Sequence, residues 1–323
     1  MTSKERVRRA IEFDNPDRLP VFATENTDIA RLSYVDPTGW LPRFRPIGEF
    51  TDEWGSVWYT CDDTMGHVAR PAIADIKKAH KFVFPNPHLP DRWRNFNAQI
   101  IEQKDRYIIG NAQYLCFDRL TFLLGEIAAL EALLIHEHEV LQLIERIVEF
   151  ELSIVDELAD RGVDGIRFWD DVGAGNGVIM GPATWRKMLA PHYRRVFEHV
   201  QNRGLHVHYH SCGDCMDIMQ ALYEAGVDVF SIGEPFMMGI DRLVEKFAGR
   251  VCFECSPDNR SILSGENKND IENAVEELVS GFSSGAGGLI LVAAPSNFDC
   301  VSPLAQQMAI QAVRQILSTA KRA

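Results

Sequence analysis

The stretch Gly204–Ile232, GLHVHYHSCGDCMDIMQALYEAGVDVFSI, holds the unit from which the rest of the chain is read. A run with few interruptions, Leu205–His210, is followed by an amphipathic segment, Cys215–Ala225, then a glycine, then a second apolar run, Val227–Ile232. Continuous runs separated by amphipathic helices mark strands buried on both faces, and hence a parallel sheet. The same rhythm extends outward. Gly165–Trp169 (GIRFW), Arg250–Glu254 (RVCFE) and Gly288–Ala293 (GLILVA) read as further strands. Helical periodicity falls on Glu139–Arg161, Pro182–Arg203, Ile240–Phe247, Asn269–Ser283 and Pro303–Lys321. The joints RGVDGIRFW, AGVDVFSIG and SGAGGLILV each leave a helix through glycine, the residue suited to a left-handed C-terminal turn. With Leu19–Ala23 and Tyr107–Ala112, seven strands of an expected eight are visible. The pattern predicts an α/β fold, a single distorted (β/α)8 barrel, with a doubly wound open sheet as the structural alternative. Residues 36–100 break the rhythm with DEWGSVWYTCDD, GHVARPAI and FPNPHLPDRW. They are expected to form an inserted hairpin and loop region near the barrel mouth, and residues 1–323 to form one domain.

Bulk properties agree. The 323 residues are 46% hydrophobic and 24% charged, as in ordinary globular chains. A formal charge of -13 disfavours contact with phosphate backbones, so no nucleic-acid partner is expected. The most apolar stretch, Leu123–Ile135, is interrupted by Glu126 and Glu131, so no membrane span is expected. The charged start MTSKERVRRA and the odd count of 7 cysteines predict a cytoplasmic protein with reduced thiols.

The chemistry concentrates in His206, His208, His210, Cys212 and Cys215. Alternate residues of a strand share a face, so the three histidines line one side and Cys212 continues it into the loop. An imidazole and a thiolate at a strand end suit a borderline-soft cation such as zinc. In a barrel every βα loop converges on one mouth, which allows Cys300, after the last strand, to approach Cys212. Glu234, after Val227–Ile232, could supply an exchangeable oxygen, or could equally cap a helix or bind its loop. The pairs Cys212/Cys215 and Cys252/Cys255 superficially resemble a zinc ribbon. Cys252 and Cys255, however, would face opposite ways in a continued strand. Cys61 and Cys116 read as packing cysteines. Asp170 and Asp171, at the end of GIRFW, are candidates for proton transfer or substrate contact, and Glu25 is a weaker one.

Five segments together resemble the uroporphyrinogen decarboxylase superfamily: SKERVRRAIEFDNPDRLPV, DEWGSVW, VDGIRFWDDVG, APHYRRVFEHVQNRGLHVHYHSCGD and EAGVDVFSIGEP. The HSCG segment is most similar to its zinc-dependent, corrinoid-linked methyltransferases. These include the methylcobamide:coenzyme M methyltransferases and relatives in aryl methyl ether demethylation. The resemblance implies a distorted barrel with zinc held by His210, Cys212 and Cys300, and with Glu234 in a fourth position. It also implies a corrinoid (cobalamin-type) cofactor on a partner protein and a small methyl donor or acceptor: a thiol, a pterin or a methoxy compound. The arginine-rich motif P-x-W-x-M-R-Q-A-G-R of true decarboxylases is absent from RLPVFATENTDIARL, and CFECSPDNRSIL replaces a glycine-rich loop. The alternatives are a metal-free decarboxylase acting on a tetrapyrrole or related acid, and a non-catalytic corrinoid- or metal-binding barrel.

Overall fold

The computed structural model of the chain describes residues 1–23, 27–35, 47–61, 66–293 and 301–319. The strands, in chain order, begin with β1 (Val21–Phe22) and β2 (Ile29–Ser33), followed by β3 (Gly48–Thr51), β4 (Val57–Thr60) and β5 (His67–Arg70). Then come β6 (Tyr107–Tyr114), β7 (Gly165–Trp169), β8 (Gly173–Ala174), β9 (Gly177–Val178), β10 (His206–Ser211), β11 (Val229–Ile232), β12 (Cys252–Cys255) and β13 (Leu289–Val292). Eight of them form one sheet in the order β1-β13-β12-β11-β10-β7-β6-β2, and every pairing in it is parallel. The fold is thus a (β/α)8 barrel, and the open doubly wound alternative is excluded. Among the described residues, no ladder joins β1 to β2. Asp28 closes that seam instead: its N–H donates to the Val21 carbonyl at 2.8 Å, and its carboxylate accepts the Val21 N–H at 3.0 Å. Arg6 and Arg18 pair with the same buried carboxylate at 2.7 and 2.8 Å.

β2 is the eighth strand, which apolar patterning missed. Its sequence IARLS carries Arg31 and Ser33 on alternate positions, so no continuous apolar run announces it. The predicted helix Pro182–Arg203 is two helices, Pro182–Met188 and Ala190–Asn202. Pro191 has no N–H to give a continuing helix and its ring crowds the preceding turn. In the insertion, β3, β4 and β5 form an antiparallel sheet, and a helix, Pro90–Glu102, follows. Among the described residues, no helix is long and apolar enough to cross a membrane.

The barrel interior is built in two halves. At the N-terminal ends of the strands, Ile29, Ile109, Val229 and Ile290 pack with Val7 and Ile11 of the first helix, Ser3–Glu12, which plugs that end. Towards the C-terminal ends the inward positions turn polar: Arg31, Arg167, His208, Ser231 and Glu254. Glu254 is fully buried, with Arg31 at 2.7 Å and Arg167 at 3.5 Å. These guanidiniums hold its carboxyl below the usual range against the opposing effect of burial. Burial drives His208 down to about 3, so this histidine is neutral. A carboxylate shared by two arginines is what allows charge to persist in a barrel core.

Candidate metal centre

β10 delivers His210 and Cys212 to the mouth of the barrel. His210 pairs with Trp169 of β7 on one side and with Ser231 of β11 on the other. The backbone then turns at Gly213, where φ is +71°, a conformation costly for any residue with a Cβ. A Cβ there would meet the Gly173 backbone at 2.4 Å, so two glycines in close approach let the β8–β9 hairpin rest on this loop. Gly233 borders the thiol: a Cβ on it would sit 3.3 Å from Cys212 Sγ.

His210 Nε2 lies 3.6 Å from Cys212 Sγ. An imidazole nitrogen and a thiolate bound to zinc at about 2.05 and about 2.3 Å with a tetrahedral angle are themselves separated by about 3.6 Å. The donor pair therefore already has the spacing of two ligands on one ion. Asp171 completes the cluster: its carboxylate, His210 and Cys212 present ligand atoms all within 4.8 Å of one another. The carboxylate of Asp171 also accepts the Cys212 N–H at 2.8 Å, which ties the β7 loop to the β10 loop. Burial pushes the Cys212 thiol well up and His210 well down, with the nearby acids adding to the first shift and Arg167 to the second. A borderline-soft N, S and O set of this kind fits zinc.

Asp170 stands apart from this cluster. It is fully buried and accepts the backbone N–H groups of Phe117 and Asp118 at 3.2 and 2.7 Å, along with the Tyr193 hydroxyl. Its carboxylate thus caps the helix Cys116–Leu124, a position where negative charge is favoured. Asp118, unremarked in the sequence, accepts the Asp171 N–H at 3.2 Å. Burial and then the charge of Asp170 push its carboxyl well up. Glu234 is half-buried, and its carboxylate accepts the Gly213 N–H at 3.2 Å. It braces the loop carrying Cys212 and falls outside the 4.8 Å cluster. Asp171 supplies the carboxylate of that cluster, a proximity visible only once β7 is paired with β10. Cys300 and Glu25 lie outside the described residues. Cys252 joins the barrel-interior cluster and Cys255 the outer one, so the two face opposite ways as expected. Cys116 is buried as expected, whereas Cys61 is exposed.

Comparisons with known proteins bear on the fold and family. The profile of the uroporphyrinogen decarboxylase (URO-D) family matches residues 122–315, more than half of the chain. No curated protein matches by sequence. A methyltransferase from Methanosarcina mazei superposes with a TM-score of 0.72 at 15% identity, covering 98% of this chain and 99% of the other. A chitinase from Chromobacterium violaceum (TM-score 0.43, 10% identity, 89% and 92% covered) is too distant to carry an argument. The same holds for a Xanthomonas albilineans dihydropteroate synthase (0.33, 14%, 53% and 59%).

Proposed function

The chain belongs to the uroporphyrinogen decarboxylase family, and from that premise we propose that it is a zinc-dependent methyltransferase. It moves a methyl group between a corrinoid carried by a partner protein and a small thiol, pterin or methoxy compound. The observation that carries this reading is the His210–Cys212–Asp171 cluster at the barrel mouth, with His210 and Cys212 at ligand spacing. Decarboxylation of a tetrapyrrole has no need of such a donor set. The shared barrel of the Methanosarcina mazei methyltransferase is consistent with the reading.

His210, Cys212 and Cys300 would hold the ion, and Asp171 or Glu234 would fill the position that a substrate takes over. A bound zinc ion supplies either a low pKa for an acceptor thiol or Lewis acidity toward a donor oxygen. Two thiolates and a neutral imidazole cancel the ion's charge, which favours a nucleophilic thiolate over activation of an ether. Asp171 holds the Cys212 backbone through its N–H, and Glu234 holds Gly213, so the two carboxylates brace the loop from both sides. Gly173 and Gly233 leave it room: a Cβ on the first would meet the Cys212 carbonyl oxygen at 2.5 Å, and one on the second the Cys212 sulfur at 3.3 Å.

The test is metal analysis of the purified protein followed by loss of methylcobalamin absorbance against a panel of thiols and tetrahydrofolate. Near-stoichiometric zinc with demethylation in the presence of one acceptor is the expected result. Absence of metal would favour a decarboxylase, and metal without methyl transfer would favour a binding protein.

A further inference from the structure

Beneath the cluster, His210 Nδ1, Arg167 Nη2 and Ser231 Oγ form a tight triangle. Nδ1 is 2.9 Å from Arg167 and 3.0 Å from Ser231, and Arg167 is 3.0 Å from Ser231. A guanidinium has donors and no acceptor. Its contact with Nδ1 therefore requires a lone pair on Nδ1, which puts the ring proton on Nε2, facing Cys212. A nitrogen carrying that proton cannot bind a cation. The opposite tautomer frees the Nε2 lone pair and places N–H on Nδ1, where Ser231 Oγ is its acceptor. Arg167 Nη2 would then confront another N–H at 2.9 Å and has to withdraw. Glu254 is placed to receive it: the Arg167 Nη1 to Glu254 distance of 3.5 Å is longer than a direct hydrogen bond, whereas Arg31 already holds Glu254 at 2.7 Å.

We infer that Arg167 is a positioning residue that latches His210 in the tautomer unable to take a cation, and that Glu254 draws the latch back when His210 turns its Nε2 lone pair toward Cys212. The ring proton only changes nitrogen, so the imidazole stays neutral throughout. The inference rests on the metal reading above and adds to it a proton that has to change nitrogen before His210 can take a cation.

Two neighbours in one ion-paired network should then act with opposite sign. Arg167→Met removes the latch and should tighten Co2+ binding about tenfold. Glu254→Gln removes the counter-pull and should weaken it about tenfold, at the lower edge of what partners of metal-bound histidines are worth. Ser231→Ala removes the Nδ1–H acceptor and should weaken binding too, which keeps the weakening arm available if Glu254→Gln fails to fold. The measurement is Co2+ titration, read by ligand-field absorption against a competing chelator, on variants with wild-type circular dichroism. Imidazole 15N shifts of the metal-free protein form a second readout. Wild-type His210 should report Nε2–H, and Arg167→Met a mixture of tautomers. Weaker binding in all the variants would overturn the latch and leave a merely structural network. A wild-type protein that binds no Co2+ would instead sink the metal reading, and the 15N comparison would still decide the latch: unchanged shifts in Arg167→Met overturn it.

Discussion

Glu151 occupies a position that helix patterning reserves for an apolar side chain. It lies on the buried stripe of the helix Glu137–Asp160, between Val148 and Ile154, and is fully buried. Among the described residues, neither carboxylate oxygen has a hydrogen-bond partner. Burial raises its pKa from 4.5 to about 8, with Arg119 opposing the shift only in part. The folded protein thus keeps this proton across a window, from about pH 4.5 to about pH 8, in which the unfolded chain has lost it. Because the folded state binds more protons there, the stability this group allows is full below pH 4.5 and is lost as pH rises toward 8. At about 1.36 kcal/mol per unit, a window of roughly three and a half units is worth at most about 5 kcal/mol. Glu151→Gln fills the same space and cannot ionise. Its stability relative to wild type should therefore be near zero at pH 5 and rise by about 3 kcal/mol or more at pH 8. Denaturant unfolding of both proteins at the two pH values measures this directly. Equal differences at pH 5 and pH 8 would show that Glu151 ionises freely in the folded protein, and would refute the reasoning.

The remaining predictions concern the mouth of the barrel. Cys212→Ala should lose zinc by metal analysis while keeping the thermal midpoint of chelator-treated wild type, since the sulfur sits on a loop beyond the strand. Asp171→Asn should lower metal affinity about tenfold or more in chelator competition, through both the lost charge and the loosened Cys212 backbone. Asp170→Ala should cost roughly 3 kcal/mol in denaturant unfolding, because three buried donors lose their acceptor, yet leave the metal content unchanged. Gly213→Ala should cost about 2 kcal/mol or more and reduce zinc occupancy, because φ +71° and the Gly173 backbone both reject a Cβ; wild-type occupancy and stability in that variant would show that the loop readily reshapes.

Much of the architecture was legible in the sequence because parallel strands covered on both faces are nearly continuous apolar runs. That is why GIRFW, VDVFSI and GLILVA read as strands, and why the alternation in LHVHYH placed three histidines on one face. The division of 182–203 into two helices and the strand IARLS were obscured by local chemistry: a proline in one, and in the other an arginine serving a polar interior that no local pattern announces. The site divides in the same way. His210 and Cys212 are two residues apart and their joint orientation follows from strand geometry alone. The different fates of Asp170 and Asp171 do not. Consecutive carboxylates are alike to a sequence pattern, but a chain turn sends one inward to cap the helix Cys116–Leu124 and the other across to the Cys212 backbone. The same holds for Arg31, Arg167 and Glu254, which come from three separate strands. Sequence pattern reports periodic burial, which is local. Which charges share a core is set by the closure of the barrel, which brings residues more than two hundred positions apart into contact.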